Sequence, residues 1–210
     1  MGNPYVSKRP RLILASNSQA RAELLQAAGI VFDQRPTHIP EPRPRRGERF
    51  ETYLSRLARL KAEAAAARAG TQDWVLAADT AIRFRSRILG KPGTAARARR
   101  MLAELQGRTH LLVTAVCVLG PAGHGGVRPR LEGRDSVRVT LRRLTPAAIR
   151  AYVATVQPLA CAGAYALQGR GAAILKDLQG DPSTVVGLPL ALTESLLRRA
   201  GFRPDRIRRP

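Results

Sequence analysis

Two serines and an arginine lie between the first predicted strand and the first turn of the helix that follows it. Ser16 and Ser18 occupy a position where free backbone N–H groups and the helix dipole favour an anion. Arg21 follows in that first turn and could reach the same anion as a forked donor. The alternative interpretation is structural, with Ser18 only capping the helix and Arg21 solvated. This segment alone leaves both interpretations open.

An aspartate directly follows five apolar residues that predict a buried strand. Asp79 comes after residues 74–78, and open α/β sheets bind ligands at the carboxyl ends of such strands. A turn or cap aspartate is the competing interpretation. Acids are scarce, with 15 Asp and Glu in the whole chain, and Glu41 is another that falls in a loop beside a predicted strand end. Two carboxylates, with phosphate oxygens and waters, would make an ordinary Mg²⁺ site.

Lysine is rare in this chain, which uses 32 arginines and only 4 lysines. In the predicted long helix, Leu54, Leu57 and Lys61 share one stripe, so Lys61 points with the apolar face. A lysine there must extend to the surface or meet an anion, and a compact ammonium suits a phosphate group. Lys91 is the second lysine at a position where the larger guanidinium of an arginine would not serve this purpose. Chance placement is the alternative.

Several other classes of protein are excluded. His38, His110 and His124 have no metal-ligand spacing with Cys117 and Cys161, which argues against a zinc site. No Walker A motif, dinucleotide fingerprint or nucleophile elbow occurs. No apolar run reaches the roughly 18 residues that span a bilayer, and the first ten residues lead into too short an apolar run for a secretory signal. We therefore expect a reduced, cytoplasmic protein with no membrane association.

The formal net charge of +21 points to anionic partners. Aromatic residues make up only 4% of the chain, and they do not alternate with basic residues as stacking platforms for nucleic acid would require. No zinc-finger or RNA-recognition motif appears. We interpret most of the charge as a solvated basic surface that attracts nucleic acid only nonspecifically.

The predicted elements alternate between strands and helices, with one long hairpin in the middle. Strands are predicted at residues 11–15, 31–35, 74–78, 110–119, 134–144 and 172–178, with a hairpin or bent strand at 82–89. Helices are predicted at 19–28, 48–69, 94–105 and 188–200, and a further helix opens at Thr145-Pro146. The long hairpin turns at residues 120–126. This order predicts an α/β fold with a mixed sheet and flanking helices.

A series of short motifs runs from about residue 11 to residue 201. They are Leu12-Ile13-Leu14-Ala15-Ser16-Asn17-Ser18 with Arg21 and Glu23-Leu24-Leu25, Arg56-Leu57-Ala58 with Lys61-Ala62, Ala78-Asp79-Thr80, Leu89-Gly90-Lys91-Pro92, Gly107-Arg108-Thr109-His110, Ala162-Gly163-Ala164-Tyr165 with Gln168-Gly169, and Val186-Gly187-Leu188-Pro189-Leu190. In this order and spacing they resemble the Maf family. Several motifs in register make the resemblance specific.

The resemblance implies a metal-dependent nucleoside triphosphate pyrophosphatase of the kind often called a septum formation protein. It implies an α/β fold with two lobes around a deep nucleotide cleft, similar to the inosine triphosphate pyrophosphatases. The cofactor would be Mg²⁺ or Mn²⁺, and the family suggests a homodimer. The domain would cover residues 11–201, between an N-terminal extension at 1–10 and a basic tail at 202–210.

The resemblance also implies a role for individual residues. The phosphate-side positions are Ser16, Ser18 and Arg21, the charged catalytic set is Glu41, Lys61, Asp79 and Lys91, and Gln168 lines the nucleotide site. Asp79 with Glu41 would hold the metal and orient or deprotonate the attacking water. Which of the two carboxylates is the base stays open.

Several positions depart from the Maf pattern and bear on the substrate. Gln19-Ala20 replaces a usual Pro-Arg, His38-Ile39-Pro40 lacks a usual acid, Arg87 replaces a frequent Glu, and Ala160-Cys161 replaces a common Asp-Lys. Ala20, Cys161 and Asp181-Pro182 resemble the subgroup that acts on 7-methyl-GTP, whereas Asp79-Thr80, Tyr165 and Gln168 resemble the dTTP/UTP subgroup. The sequence leaves both substrates open.

Two further hypotheses compete with the pyrophosphatase. One is a non-catalytic Maf-like protein that binds nucleic acid or a cell-division partner through its basic surface. Such a protein would be free to lose the charged catalytic set, yet all four of its members are present. The other is an unrelated phosphohydrolase, which would release orthophosphate rather than pyrophosphate.

Overall fold

A seven-stranded mixed sheet with six α-helices around it makes up residues 11–203, the range that the computed structural model describes. The strands are β1 (Leu12–Leu14), β2 (Asp33–Gln34), β3 (Trp74–Phe84), β4 (Arg87–Leu89), β5 (Thr109–Leu119), β6 (Arg130–Leu141) and β7 (Leu175–Gln179). The helices are α1 (Gln19–Ala27), α2 (Phe50–Ala66), α3 (Ala95–Leu105), α4 (Pro146–Val156), α5 (Pro182–Val186) and α6 (Leu190–Arg199). The predicted α/β class with a mixed sheet is confirmed.

The strand order in the sheet is β2-β1-β3-β5-β6-β7, with β4 paired to β3. Strand β1 runs parallel to both β2 and β3, and the other pairs are antiparallel. The parallel part follows from the α1 and α2 crossovers, because parallel neighbours need a long connection. The antiparallel part includes the β5–β6 hairpin that the sequence predicted between residues 110 and 144.

One edge of β3 is shared by two short strands with an opening between them. Strand β1 pairs with β3 as far as Leu76, and β4 pairs with it from Ile82 onward. Within the described residues, the stretch between these two positions has no strand on that edge. The opening lies at the middle of the sheet, and Asp79 falls in it.

The two faces of the sheet are covered differently. Helix α2 covers one face, where Leu54 and Ala58 pack against Val75 and Ala77 of β3. On the opposite face, α1 and α6 pack over one end of the sheet, and α3 and α4 pack over the other end in a separate cluster. The molecule therefore has two packed regions on that face, which agrees with the expected two lobes.

Strand β3 is longer than the sequence predicted, and this corrects the position of Asp79. The strand does not end at residue 78 but continues to Phe84, because β5 pairs with it from Val75 to Arg83 without a break. Asp79 therefore lies inside a strand rather than behind one. Its sequence signature was misleading because a polar residue in the middle of a central strand looks like a strand end.

The bounds of other strands and helices also differ from the predicted ones. The sequence prediction started β6 four residues late and placed the start of β7 at residue 172, where residues 169–174 form 3₁₀ turns instead. Helix α5 was missed, because five residues are too few for a helical period to appear. Its ends are nevertheless marked by Asp181 as N-cap, Pro182 at the first position and Gly187 behind it.

The folded region extends slightly past its predicted end. Phe202 had been assigned to the basic tail, but it is buried and stacks edge-on against Trp74, with 5.4 Å between the ring centroids. The predicted extension at 1–10 and residues 204–210 of the predicted tail lie outside the described residues. Within the described range, no helix is both long and apolar enough to cross a membrane.

Candidate active site

The ammonium group of Lys61 lies between two carboxylates. Its Nζ donates a hydrogen bond to Glu41 Oε1 at 2.7 Å and another to Asp79 Oδ1. The Lys61 and Asp79 side chains are 14% and 12% exposed, whereas the Glu41 side chain is 53% exposed. The cluster thus runs from the interior to the surface, with Asp79 deepest.

Helix α2 and strand β3 bring this lysine and aspartate together. Leu54 and Ala58 pack on the sheet, and Lys61 lies in the middle of the same helical stripe. On β3, Asp79 shares a face with Ala77, which also packs under α2, because alternate residues of a strand point to the same side. The stripe that the sequence showed therefore directs Lys61 at an acid on the sheet.

The loop that carries Glu41 is anchored by an ion pair at its far end. Arg56 of α2 donates Nε to Glu48 Oε1 at 2.7 Å and Nη2 to Glu48 Oε2 at 2.6 Å. The same Nη2 also donates to the carbonyl of Arg43 at 3.2 Å. The hydrogen bonds from Arg56 lower the pKa of Glu48 to about 2. Both side chains are buried, so this pair holds the loop against the helix that carries Lys61.

Most N–H groups of the Arg21 guanidinium donate hydrogen bonds to the protein itself. Nε donates to the Gly187 carbonyl at 2.7 Å, Nη1 to the Ala78 carbonyl at 2.8 Å, and Nη2 to Thr80 Oγ1 at 3.0 Å. Ala78 lies in the opening beside β1, so the guanidinium replaces a missing strand partner there. Gly187 has φ of +110°, and a Cβ on it would lie 3.2 Å from Arg21 Nε. Arg21 is buried rather than solvated.

The two serines are joined to this arginine. Ser18 caps α1, since its Oγ accepts from the Arg21 backbone N–H at 3.4 Å. Ser16 Oγ accepts from the Ser18 backbone N–H and from Arg21 Nη1, both at 3.2 Å. The structure thus places Ser16, Ser18 and Arg21 in one cluster at the start of α1, and the capping function of Ser18 is observed directly.

A row of hydroxyls behind Arg21 was missed by the sequence analysis. Thr114 Oγ1 donates its single hydrogen to the Thr184 carbonyl at 2.7 Å. Thr80 Oγ1, which accepts from Arg21, is therefore the donor to Thr114 Oγ1 at 2.9 Å. Thr184 Oγ1 donates to Asp135 Oδ2. Thr80, Thr114 and Asp135 are cross-strand partners, and that register is visible only after the strands have paired.

Lys91 and Gln168 lie further out. Lys91 is exposed, and within the described residues neither carboxylate of the cluster pairs with it, although its pKa responds to the charges of that cluster. Gln168 is exposed, and its Nε2 donates to Glu23 of α1 at 3.4 Å. The structure therefore brings Asp79, Lys61 and Glu41 into direct contact and leaves Gln168 on the outer side of α1.

The two carboxylates differ in their pKa. Burial raises the pKa of Asp79, and the charges of Lys61 and Arg21 only partly offset this effect. Burial also acts on Glu41, but its hydrogen bond from Lys61 and the charges of Lys61, Lys91 and Arg21 outweigh it, so the pKa of Glu41 is lowered. The pKa values of the two carboxylates are thus shifted in opposite directions.

A family model matches the domain built around this cluster. The description "Maf-like protein" applies to a match over residues 11–200 of this chain. The chain belongs to the Maf family. The match covers every element of the sheet and all the candidate site residues described above.

Other Maf proteins share much of this sequence. A "dTTP/UTP pyrophosphatase" of Anaeromyxobacter dehalogenans is 48% identical over 193 residues, which cover 92% of this chain and 95% of that one. A "7-methyl-GTP pyrophosphatase" of Xanthomonas oryzae is 39% identical over 194 residues, covering 92% and 98%. Among solved structures, a dITP/XTP pyrophosphatase from Mycobacterium abscessus is similar over 90% of this chain and 95% of its own, at 13% identity and a TM-score of 0.41.

The carboxylates of this Maf chain suit a hard divalent cation. Within residues 11–203 no set of three or more His, Cys, Asp or Glu side chains converges, and the carboxylates that the site offers are Asp79 and Glu41. In the described part of the chain, hydrogen bonds to the two carboxylates use Oδ1 and Oε1 alone, which leaves Oδ2 and Oε2 for a ligand. Two carboxylates fit Mg²⁺, which keeps several waters and takes substrate phosphates as ligands.

Proposed function

We propose that this Maf protein is a nucleoside triphosphate pyrophosphatase that hydrolyses its substrate to a nucleoside monophosphate and pyrophosphate. The observation that carries the proposal is the contact of Lys61 Nζ with both Asp79 and Glu41, in an opening of the sheet edge next to Arg21. This hydrolysis needs a carboxylate that accepts a proton and cationic groups that bind phosphate oxygens, and the site contains both. The activities in the names of the relatives support the same conclusion.

Asp79 is the general base in this proposal. The oxygen of a water attacks the α-phosphorus, the bond from that phosphorus to the oxygen bridging to the β-phosphorus breaks, and its electron pair leaves with pyrophosphate. Asp79 accepts the proton that the water loses. Its raised pKa makes it a better base than an ordinary aspartate, while Glu41, with its lowered pKa, stays ionised.

The cations divide into two roles. Lys61 and Lys91 stabilise the negative charge that develops on the leaving group. Arg21 acts through the elements it joins, because it holds α1, β3 and the Gly187 turn in place with most of its donors. Ser16 and Ser18, at the start of α1, bind phosphate oxygens in this proposal, and Gln168, beside Glu23 of α1, contacts the nucleoside.

Asp79 and Glu41 would hold Mg²⁺ or Mn²⁺. Such a cation would supply charge to neutralise the phosphate oxygens and would lower the pKa of the attacking water. Lys61 keeps both carboxylates oriented toward each other, which prepares the pair for a shared ligand.

We propose dTTP and UTP as the substrates. The relatives of A. dehalogenans and Moorella thermoacetica that are named for these nucleotides are 48% and 45% identical to this chain, whereas the 7-methyl-GTP relative is 39% identical. Tyr165, which the resemblance had linked to this choice, is buried and bonded to His110, so it acts on the substrate only through the residues around it. The homodimer that the resemblance implies and the cytoplasmic location expected from the sequence stay predictions, and light scattering tests the first.

Pyrophosphate release from a panel of triphosphates tests the proposal. Purified protein with Mg²⁺ or Mn²⁺ is offered dTTP, UTP, CTP and 7-methyl-GTP. We expect release from dTTP and UTP, and a loss of about 10²–10⁴-fold in kcat for Asp79→Asn, the range for removing a general base. Asp177→Asn, an exposed aspartate on β7, is the matched control and should retain activity.

Three results would contradict the proposal. Full activity in Asp79→Asn would remove the assigned base. Orthophosphate in place of pyrophosphate would indicate an unrelated phosphohydrolase. No release from any member of the panel would favour the non-catalytic protein that binds partners through its basic surface.

A further inference from the structure

A basic pocket lies beside Lys91, between strand β4 and helix α3. Its volume is about 320 Å³, and its walls include the cations Arg87, Lys91, Arg97 and Arg100 and the carboxylate Glu104. Arg87 Nη1 pairs with Glu104 Oε2 at 2.7 Å. Among the residues that the structure describes, no ion pair involves the other three cations of the pocket. Arg97 and Arg100 therefore give the pocket positive charge that the proposed reaction does not use.

Helix α3 directs two of these arginines into the pocket. Arg97, Arg100 and Glu104 follow one another at helical spacing on the same side of α3. The other side of the helix is buried, with Ala98 and Leu102 inside the core. Because packing fixes the rotation of α3, both arginines lie on the side of the helix that lines the pocket.

Lys91 links the pocket to the candidate active site. Lys91 lines the pocket, and the charges of Arg21, Lys61, Asp79 and Glu41 also act on its ammonium group. Although the residue as a whole is exposed, desolvation of its ammonium group by nearby protein atoms and the positive charges of Arg21 and Lys61 lower the pKa of Lys91. An anion next to Lys91 would relieve that repulsion, so the electrostatics favour an anion where the pocket and the site meet.

We propose that this pocket binds pyrophosphate as it leaves the active site, an inference that rests on the proposed function. Pyrophosphate is compact and highly charged, and arginine forks match phosphate oxygens in pairs. The pocket begins at Lys91, which stabilises the leaving group in the proposed reaction. The product therefore moves along a continuous path of cations from Lys91 to Arg97 and Arg100.

Calorimetric titration of the full chain with pyrophosphate tests the site directly. In Arg97→Gln/Arg100→Gln we expect pyrophosphate to bind about tenfold more weakly than in the wild type, a loss of roughly one strong charge-assisted contact. The charge-matched control is Arg68→Gln/Arg99→Gln. Arg99 is an exposed residue of α3 and Arg68 follows α2, and neither lines the pocket. An equal loss in both double variants, or no loss in either, would overturn the proposal.

Two further arms identify the ligand and separate this inference from the proposed function. Titration with inorganic phosphate should give weaker binding than pyrophosphate, and tighter phosphate binding would overturn the assignment to pyrophosphate. In assays with dTTP, Arg97→Gln/Arg100→Gln should raise the inhibition constant of pyrophosphate about tenfold and leave the KM unchanged. Unchanged inhibition in an active enzyme contradicts the pocket alone, whereas an inactive wild type contradicts the proposed function alone, because the titration needs no catalysis.

Glu104→Gln provides a variant with the opposite effect. It removes the single carboxylate of the pocket and releases Arg87 from its ion pair. We expect pyrophosphate binding to tighten about threefold, the size of an exposed ion pair. Weaker binding in Glu104→Gln would contradict the proposal even if the arginine variant lost affinity through a change in folding.

Discussion

His110 is buried on β5 with only one of its two ring nitrogens bonded. Nε2 shares a hydrogen bond with Tyr165 Oη at 2.9 Å, whereas Nδ1 has no partner among the described residues. The residue is 4% exposed, and burial lowers its pKa to about 4. A proton on Nδ1 would be a buried charge without a partner, so the folded protein keeps this histidine neutral.

This histidine should make the protein less stable in mild acid. The unfolded chain takes up a proton near pH 6.5, but the folded chain does so only near pH 4, so the free energy of unfolding falls as the pH drops through that window. The loss approaches about 3 kcal/mol. We expect His110→Gln to flatten the pH dependence of urea unfolding between pH 6.5 and 4.5, whatever its stability at pH 7. A slope identical to that of the wild type would contradict this account. His38→Gln is the matched control.

At the scale of elements, α2 both supplies Lys61 and fixes the loop that carries Glu41. The helix does this with two residues five positions apart, since Lys61 contacts Glu41 and Arg56 contacts Glu48. The loop from residue 35 to residue 49 therefore has one attachment at its acid and another at its end.

Loss of the attachment at Glu48 should weaken catalysis without touching the reacting groups. We expect Glu48→Gln to lower kcat/KM about tenfold, because Glu41 is then less often placed beside Lys61, and to lower the urea midpoint. Glu51→Gln is a matched control on the same helix, since it breaks an exposed ion pair with Arg83 at 3.2 Å and should have little effect on either quantity. Equal effects of the two variants would show that the attachment does not position Glu41.

The sequence predicted those parts of the site that depend on residues close together along the chain. The helical stripe of α2 predicted an inward Lys61, and the short polar segment before α1 predicted Ser18 as its cap. The position of Asp79 inside β3 and the row of Thr80 and Thr114 could not be predicted. Both depend on strands that pair across 30 or more residues of chain, and no local pattern carries that register.

The same distinction holds for the whole fold. Alternating strands and helices with a long hairpin were enough to predict a mixed α/β sheet. The opening between β1 and β4 depends instead on how far two short strands extend along β3, which is decided by packing and not by propensity. The basic surface was visible in composition, but its concentration around Lys91 appeared only when α3 and β4 were placed side by side.

Three long strands cross the whole molecule. β3, β5 and β6 are 11, 11 and 12 residues long, and between them they contribute to all three packed clusters. Neither of the two packed regions can unfold while the other stays folded, because both share these strands, so the protein should unfold in a single cooperative step.

Two signals test this expectation. The fluorescence of Trp74, the sole tryptophan, reports on the α1–α6 end, and circular dichroism reports on the whole chain. Their melting midpoints should coincide, and two separate midpoints would mean that the strands do not couple the regions. A shared sheet also means that the two packed regions should move as one body, since a rotation of one against the other would have to bend all three strands.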